Sequence, residues 1–506
     1  MFARKKPNRS GSVSIQIIDK SRGKYRVVET VGTSSEPSEI EFLWRSAHHK
    51  IPTLAGQGSF DFMHETDRAI VHALNNDPTA KVRVIGPEKI LGSIFNRIGF
   101  NKIKDELFKH LVLSRLVCPV SKLATTDYLH RYAGLTIDVS KVYRFLDKLN
   151  QDYKNKVHRI AYEHTRKILK NKIGMVFYDM TTLYFEVDYE DAFRKMGFSK
   201  DGRPQNPQIL LGLLVSENGY PIGYEIFEGN TFEGDTLIPV LERFQKKYDL
   251  PKPIIVADSG LLSKNNIQHL SENGYEYILG ARIKNETEKI KKQILKLKLL
   301  DGKLKQIRKE DNARLIVGFA DKRARKDAFN RQRGLARLEK NLKAGKLTKT
   351  HIGNKGYNKY LKLSGEITLA IDYEKFRADA KWDGLKGYVT NCKLPSKKVV
   401  KNYNQLWQIE KAFRISKNDL KIRPVFHRLQ RRIESHICIA FCAYTLFKEL
   451  ERILYLHKSS VSAYRAIELT QTMYALTITL PESHQHYTVE LPMDTEQQQL
   501  CRWVPT

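Results

Sequence analysis

At 506 residues the chain is long enough for two to four domains around a large core. Its 87 Lys and Arg stand against 56 Asp and Glu, a formal net charge of +31, which calls for a polyanionic partner, nucleic acid ahead of an anionic membrane surface. The longest apolar run, "HICIAFCAYTLF" at 436–447, is too short to span a bilayer, no apolar stretch follows the basic "MFARKKPNRSGS", and Cys118, Cys392, Cys438, Cys442 and Cys501 lack zinc spacing, so membrane-spanning, secreted and zinc-finger readings are excluded in favour of a reduced, cytoplasmic protein.

In chain order, residues 1–60 open with a basic arm (Arg4, Lys5, Lys6, Arg9) before "SVSIQIID" and "KYRVVETVG", two alternating runs separated by "KSRGK" that predict a β-hairpin. Residues 61–170 are mostly helical in pattern. "SKLATTDYLHRYAG" ends at Gly134, and "DVSKVYRFLDKLN" follows with Ser140 as its expected N-cap. Lys141 and Arg144 in the first turns of that second helix give it the look of a helix-turn-helix DNA-binding region, with a plain helical bundle as the alternative.

From 171 the pattern changes. "GMVFYDMTTLYFEV" predicts two strands around Asp179, and "PQILLGLLVSENGYPIGYEIFEGN" a hairpin turning at Glu217, Asn218 and Gly219. "GDTLIPVLERFQKKYD" is an amphipathic helix, "PKPIIVADSG" a strand ending in Asp258, "LLSKNNIQHLSENG" a helix and "YEYILGARI" a strand. Such an order predicts an α/β fold: a mixed sheet with helices on its faces, over 171–281 and resuming at 401–460. Residues 282–400 read as a basic inserted subdomain, since 321–350 alone hold eleven basic residues against three acidic. Residues 461–506 form a C-terminal tail whose candidate role is dimerisation.

Three acids stand out by position. Asp179 and Asp258 end apolar strands, where α/β sheets build their sites. Glu410 lies in "YNQLWQIEKAFRISKNDLK", where Tyr403, Trp407, Glu410, Arg414, Lys417 and Lys421 step by four and three along one helical stripe beside an apolar face of Leu406, Ile409 and Phe413. One carboxylate among cations and aromatics points to a metal ligand beside a polyanion. Three carboxylates meeting there would make a hard oxygen site for Mg²⁺ or Mn²⁺, and two such ions roughly 3.5–4 Å apart can activate an attacking oxygen and stabilise the leaving one at a phosphodiester. Taken singly, each acid is more simply a cap or loop carboxylate. Asp188, Glu190, Glu228 and Glu233 are rivals read as mainly structural, as are His427, His436 and Trp382.

The combination resembles the transposases of bacterial insertion sequences, the DDE group with an RNase H-like catalytic fold, and within it the branch marked by a Tyr-Arg-Glu-Lys signature. Tyr403, Glu410 and Lys417 fit that signature's spacing, while Leu406 stands where the branch has arginine. "YDMTTLYFE" resembles the branch's first-aspartate strand, "GFSKDGRPQNPQILLGLLVSENGYPIGYEIFEGNTFEGDT" the sheet segment after it, and "VADSGLLS" the second-aspartate segment. The likeness covers roughly residues 1–460, including an insert between the second aspartate and the glutamate. It implies binding to the terminal inverted repeats of the element as double-stranded DNA, pairing of two ends by a homodimer at the nucleoid, and cut-and-paste chemistry through a hairpin, ending in joining to target DNA. Asp179, Asp258 and Glu410 would hold two Mg²⁺, with Mn²⁺ as a substitute. Tyr403, Arg414, Lys417 and Lys421 would contact DNA phosphates and Trp407 a displaced base, with Lys411 or Lys421 standing in for the missing arginine. Two other readings remain: another RNase H-like nuclease such as a resolvase, and a catalytically idle DNA-binding protein of transposase descent.

Overall fold

The computed structural model describes residues 1–21, 23–55, 81–248, 252–261, 263–309, 312–353, 356–364, 368–479 and 485–504. Residues 56–80, part of the region expected to be helical, lie outside the described residues. The chain forms two compact units, Met1–Lys81 with Thr477–Thr488, and Val82–Leu476 with Val489–Thr506.

In the first unit, strands β1 (Phe2–Pro7), β2 (Val13–Asp19) and β3 (Arg26–Ser34) form an antiparallel sheet in the order β1-β2-β3. The residues expected as a free basic arm are therefore largely a strand. Ala3 alternates inward, and Lys5 lies 4.9 Å over the Trp44 ring, so β1 has both an edge to pair with and a face to bury. Ile15 and Ile17 of β2 pack under helix α1 (Pro37–Leu54) with Ala47, Leu43 and Trp44. Gly32 admits that helix, since a Cβ there would stand 2.6 Å from Leu43.

The second unit starts at Val82 within strand β4 (Lys81–Val84) and continues with helices α2 (Ser93–Ile98), α3 (Glu106–Val117), α4 (Lys122–Tyr128), α5 (Val139–Lys148) and α6 (Lys154–Ile168). Asp138, not Ser140, caps α5, because its carboxylate accepts the Ser140 N–H at 2.7 Å. Next come β5 (Met175–Tyr184), β6 (Gln208–Ser216), β7 (Pro221–Glu228), α7 (Leu237–Tyr248), β8 (Ile254–Ala257), α8 (Lys264–Glu272) and β9 (Tyr277–Ala281). The two strands expected around Asp179 are one continuous strand, because the whole of β5 is sandwiched between two apolar layers and pairs with β6 from end to end.

Within 282–400 lie α9 (Glu288–Lys296), β10 (Leu304–Arg308), β11 (Arg314–Phe319), α10 (Asp321–Lys343), the paired β12 (Leu361–Ser364) and β13 (Thr368–Ile371), α11 (Tyr373–Ala380) and β14 (Leu385–Thr390). Three of these strands join the main sheet, whose eight strands run β10-β11-β14-β9-β8-β5-β6-β7, with β5, β8 and β9 parallel and the other pairs antiparallel. What stands apart from the sheet is α10, α11 and the β12–β13 pair, around Leu338, Tyr360, Leu361 and Ile371.

After β14 come α12 (Ser396–Tyr403), α13 (Trp407–Arg414) and α14 (Gln430–Leu456), then α15 (Ala463–Thr470), strands β15 (Tyr474–Thr479) and β16 (His486–Glu490), and α16 (Thr495–Trp503). The sheet is covered on both faces. Phe177, Leu211 and Leu213 meet Phe413 of α13 and the apolar α14, whereas Val176, Tyr178 and Ile255 meet Val240 and Phe244 of α7 and Leu270 of α8. Burial on both sides explains why β5, β6 and β8 read as near-continuous apolar runs. The chain is thus a mixed α/β protein with a large sheet flanked by helices.

Candidate active site

Asp179 sits in mid-β5 on the face of Phe177, among otherwise buried residues, with its side chain about a quarter exposed. Its Oδ1 accepts the Met180 N–H at 2.7 Å. Burial pushes its carboxyl up to about 6; Lys200 and the Met180 N–H oppose that shift, while Asp258 and Glu233 add to it. Asp258 follows the last residue of β8, the strand parallel to β5, and is exposed. Its Oδ1 accepts the Ser259 N–H at 2.6 Å and the Tyr403 hydroxyl at 3.2 Å.

Two residues not counted among the site by sequence complete this corner. The Lys200 ammonium is 2.8 Å from Glu233 and 3.7 Å from Asp179, and donates to the Met180 carbonyl at 2.7 Å. Burial alone would lower its pKa, but Asp179, Glu233 and Asp258 outweigh it and the net shift is upward. Glu233 also borders the Asp258 loop, 3.5 Å from where a Gly260 Cβ would stand. Lys200 lies in "GFSKDGR", a stretch whose polar character gave no hint that it folds back over β5. The sequence reads Glu233 as mainly structural on a loop able to approach the site, and that loop does reach the acids.

Tyr403 is buried at the end of α12, and its hydroxyl passes over Gly280 of β9, where a Cβ would lie only 2.4 Å away. Burial first and Asp258 second hold that hydroxyl well above the usual tyrosine range. Beside it, Lys386 of β14 stands 4.6 Å over the Tyr403 ring and 5.4 Å over Tyr388. Among the described residues it forms no ion pair. Burial and Arg323 lower its pKa against the pull of Asp258 and Glu410, which places it in the field of both acids. Asp258, Tyr403, Lys386 and Arg282 line a cavity of about 750 Å³ whose wall also takes Arg323 and Asp327 of α10 and Asp379 of α11.

The expected stripe is broken into pieces. Asn404–Leu406 is a 3-10 turn, α13 follows, and Ile415–Asp419 is a π turn. Lys421 lies beyond them with φ +44°. A single helix would swing the stripe away from the sheet; the two tighter and wider turns keep Ile409, Phe413 and Ile415 buried. Trp407, Glu410 and Arg414 are exposed, Trp407 by 52%. Lys417 is held by Asp201 at 3.2 Å, which also takes Arg423 at 2.6 Å. Leu406, in the arginine position, is buried, and Lys411 is engaged by Glu451 at 2.6 Å. Lys141 and Arg144 are exposed on a different helix, α5.

The acids are therefore brought together unequally. Asp179, Asp258 and Glu233 share one corner; Glu410 stands exposed on α13, and its charge reaches Lys386 as that of Asp258 does. Among the described residues no three His, Cys, Asp or Glu side chains are close enough to hold a metal ion as placed. The donor chemistry nevertheless fits a hard divalent cation. Burial first, and Asp258 and Glu233 after it, raise the affinity of Asp179 for a proton, and the Lys200 ammonium already answers Asp179 and Glu233.

A family model described as the transposase DDE domain matches residues 176–446, a little over half of the chain. The chain belongs to this family. The matched span of the transposase domain runs from β5 through α14 and contains all three predicted acids. A transposase for the insertion sequence element IS231C from Bacillus thuringiensis subsp. berliner is 33% identical over 101 residues. That alignment covers 18% of this chain and 21% of the relative, so the chain spans about a fifth of the length of the curated transposase it matches. A piggyBac transposase, solved by cryo-EM as a synaptic complex with hairpin DNA, aligns over 76% of each chain at 11% identity with a TM-score of 0.37. No helix among the described residues is long and apolar enough to cross a membrane.

Proposed function

We propose that this transposase-family protein binds the terminal inverted repeats of an insertion sequence and moves it by cut-and-paste: two ends paired by a homodimer, cut, and joined to target DNA. The observation that carries the reading is the corner where Asp179 and Asp258 lie on neighbouring parallel strands, with Asp258, Tyr403 and Lys386 lining one cavity. Two such acids on adjacent central strands of a mixed sheet support the RNase H-like form of the fold. Asp179, Asp258 and Glu410 are the residues that would hold divalent metal, Mg²⁺ with Mn²⁺ as a substitute, and the metal would supply an activated attacking oxygen and charge neutralisation at the leaving oxygen.

The chain's own groups do the rest. Tyr403 fixes the rotamer of Asp258 through its hydroxyl. Lys386, which forms no ion pair among the described residues, lines the cavity as a cation for a phosphodiester next to the acids, with Arg323, paired to Asp327 at 3.5 Å, beside it. Arg414 and Lys421, exposed and without ion pairs among the described residues, are available to DNA phosphates, and Trp407 presents an exposed ring for stacking. Lys200 holds Asp179 and Glu233 apart from one another's charge until substrate and metal arrive.

One assay tests the reading: duplex DNA carrying the sequences that flank the chain's own gene, with Mg²⁺ or Mn²⁺, cut by wild type beside Asp179→Ala, Asp258→Ala and Glu410→Ala. Cutting by wild type alone, with binding kept in all four proteins, is the expected result. A second reading, an idle DNA-binding descendant, draws support from the lack of a ready three-acid cluster. It predicts binding without cutting in either metal.

A further inference from the structure

The first unit carries a surface that the cutting chemistry does not use. Residues 1–34 hold Arg4, Lys5, Lys6, Arg9, Lys20, Arg22, Lys24 and Arg26 against only Asp19 and Glu29. Both acids are turned elsewhere: Asp19 accepts from the Ser21 amide and hydroxyl, and Glu29 pairs with Lys50 of α1 at 2.5 Å. By contrast, α1 carries Glu39 and Glu41 against Arg45 and Lys50, so the excess charge belongs to the sheet rather than to the helix.

The register says which face carries it. Ile15 and Ile17 point to α1, so Ser14 and Gln16 lie on the other face, where Ser14 is buried beneath its neighbours and Gln16 is half-buried. Arg4 is opposite Gln16, and Lys6 opposite Ser14, on the same outward face. On the other side of β2, Thr30 is opposite Gln16 and Thr33 opposite Ser14. Arg4 Nη2 donates to Gln16 Oε1 at 2.9 Å, which ties two half-buried polar side chains together in the middle of that face. Asn8 donates to Ser14 at 2.8 Å, and the exposed Arg9 lies in the β1–β2 turn. The other end is apolar, with Phe2, Tyr25 and Val27 exposed and the Phe2 and Tyr25 rings edge to face at 6.3 Å.

We propose that the outward face of the β1–β2 ribbon enters the major groove of double-stranded DNA, resting on the reading of the chain as a DNA-binding transposase. A β-ribbon is one of the two elements that the groove admits, and here it is the β1–β2 edge of the three-stranded sheet. Arg4 and Gln16 have the side-chain types that pair in bidentate fashion with guanine and adenine edges. Phe2 and Val27 offer an apolar contact for a thymine methyl, and Lys6, Arg9, Lys20 and Lys24 reach the flanking phosphates. The same surface would give the protein sequence preference, which backbone contacts beside the acids cannot.

The test uses the full chain and duplexes copied from the DNA flanking its gene, with an unrelated duplex as comparison, and needs no cutting. Arg4→Ala with Lys6→Ala should weaken binding about 10–100-fold and reduce the salt slope by about 1, the phosphate contact of Lys6. Gln16→Ala should relax base preference at one position. Lys6→Glu, at an exposed strand position that folding does not need, should weaken binding on its own, and methylation of guanine N7 in the duplex should block it. Arg45→Ala, an exposed cation on α1, should leave binding unchanged. Tight wild-type binding that survives Lys6→Glu, or that ignores N7 methylation, overturns this inference and leaves the transposase reading standing. A wild type that holds no duplex at all overturns both.

Discussion

Asp179 is where stability and chemistry pull against each other. Its carboxyl titrates near 6 in the fold against an ordinary 3.8, so the folded protein prefers it protonated. The stability this contributes is complete below the unfolded value and is lost as pH rises through about 6. Asp179→Asn, which mimics the protonated form, should therefore raise stability in EDTA at pH 7–8 by up to roughly 3 kcal/mol and lose that advantage below about pH 4, while cutting disappears. Thermal melts of the two proteins across pH check it. A second residue-scale outcome concerns Gly280. An alanine there would place its Cβ 2.4 Å from the Tyr403 hydroxyl, so the tyrosine must leave Asp258. Gly280→Ala should keep DNA binding and slow cutting by about 10–100-fold, read in single-turnover cleavage. Glycine's lack of a side chain is visible in "YILGARI", but which side chain it admits depends on a helix more than a hundred residues later.

At the scale of elements, the 403–421 stretch separates packing from display. Phe413 is buried against the sheet and Trp407 is half exposed on the same short helix. Phe413→Ala should cost about 3–5 kcal/mol in urea unfolding, and Trp407→Ala should stay within about 0.5 kcal/mol while changing DNA cutting. β14 makes the complementary case: Lys386→Met keeps the apolar stem over Tyr403 and removes the charge, so folding should persist while end cleavage falls about 10–100-fold and the salt slope drops by about 1. Much of this scale was legible in advance. Apolar runs located β5, β6 and β8 and pointed to Asp179 and Asp258, because strands buried on both faces have few ways to be written, though Asp179 stands within β5 rather than at its end. The stripe of six residues was not legible as a stripe, since periodicity assumes one uninterrupted α-helix and the chain inserts a 3-10 turn before Trp407 and a π turn after Arg414. Lys200 and Lys386 were missed for another reason: each is an ordinary lysine until tertiary folding sets it among acids or over rings. Nor does charge reveal engagement, as Lys411 and Lys417 are already paired by Glu451 and Asp201.

For the whole molecule, a net charge of +31 should make DNA affinity strongly salt-dependent, with a log–log slope of about −5 or steeper in KCl titrations, at about −0.9 per phosphate neutralised. Acid should undo the fold through its histidines. Burial pushes His427 down to about 4 and drives His158 and His436 downward as well. Such groups stabilise the fold above their unfolded value near 6.5 and lose that contribution as pH falls toward the folded one, so melting temperature should drop steeply between about pH 6 and 4. The main sheet also has an order of assembly written into it. β14 lies between β9 and β11, yet it is made about a hundred residues after β9. A ribosome that stalls before residue 385 releases a chain with the edge of β9 unpaired and without Lys386, Tyr403 or Glu410. On the proposed function, breakage of the chromosome waits until translation is nearly over, and incomplete translation products cannot cut it.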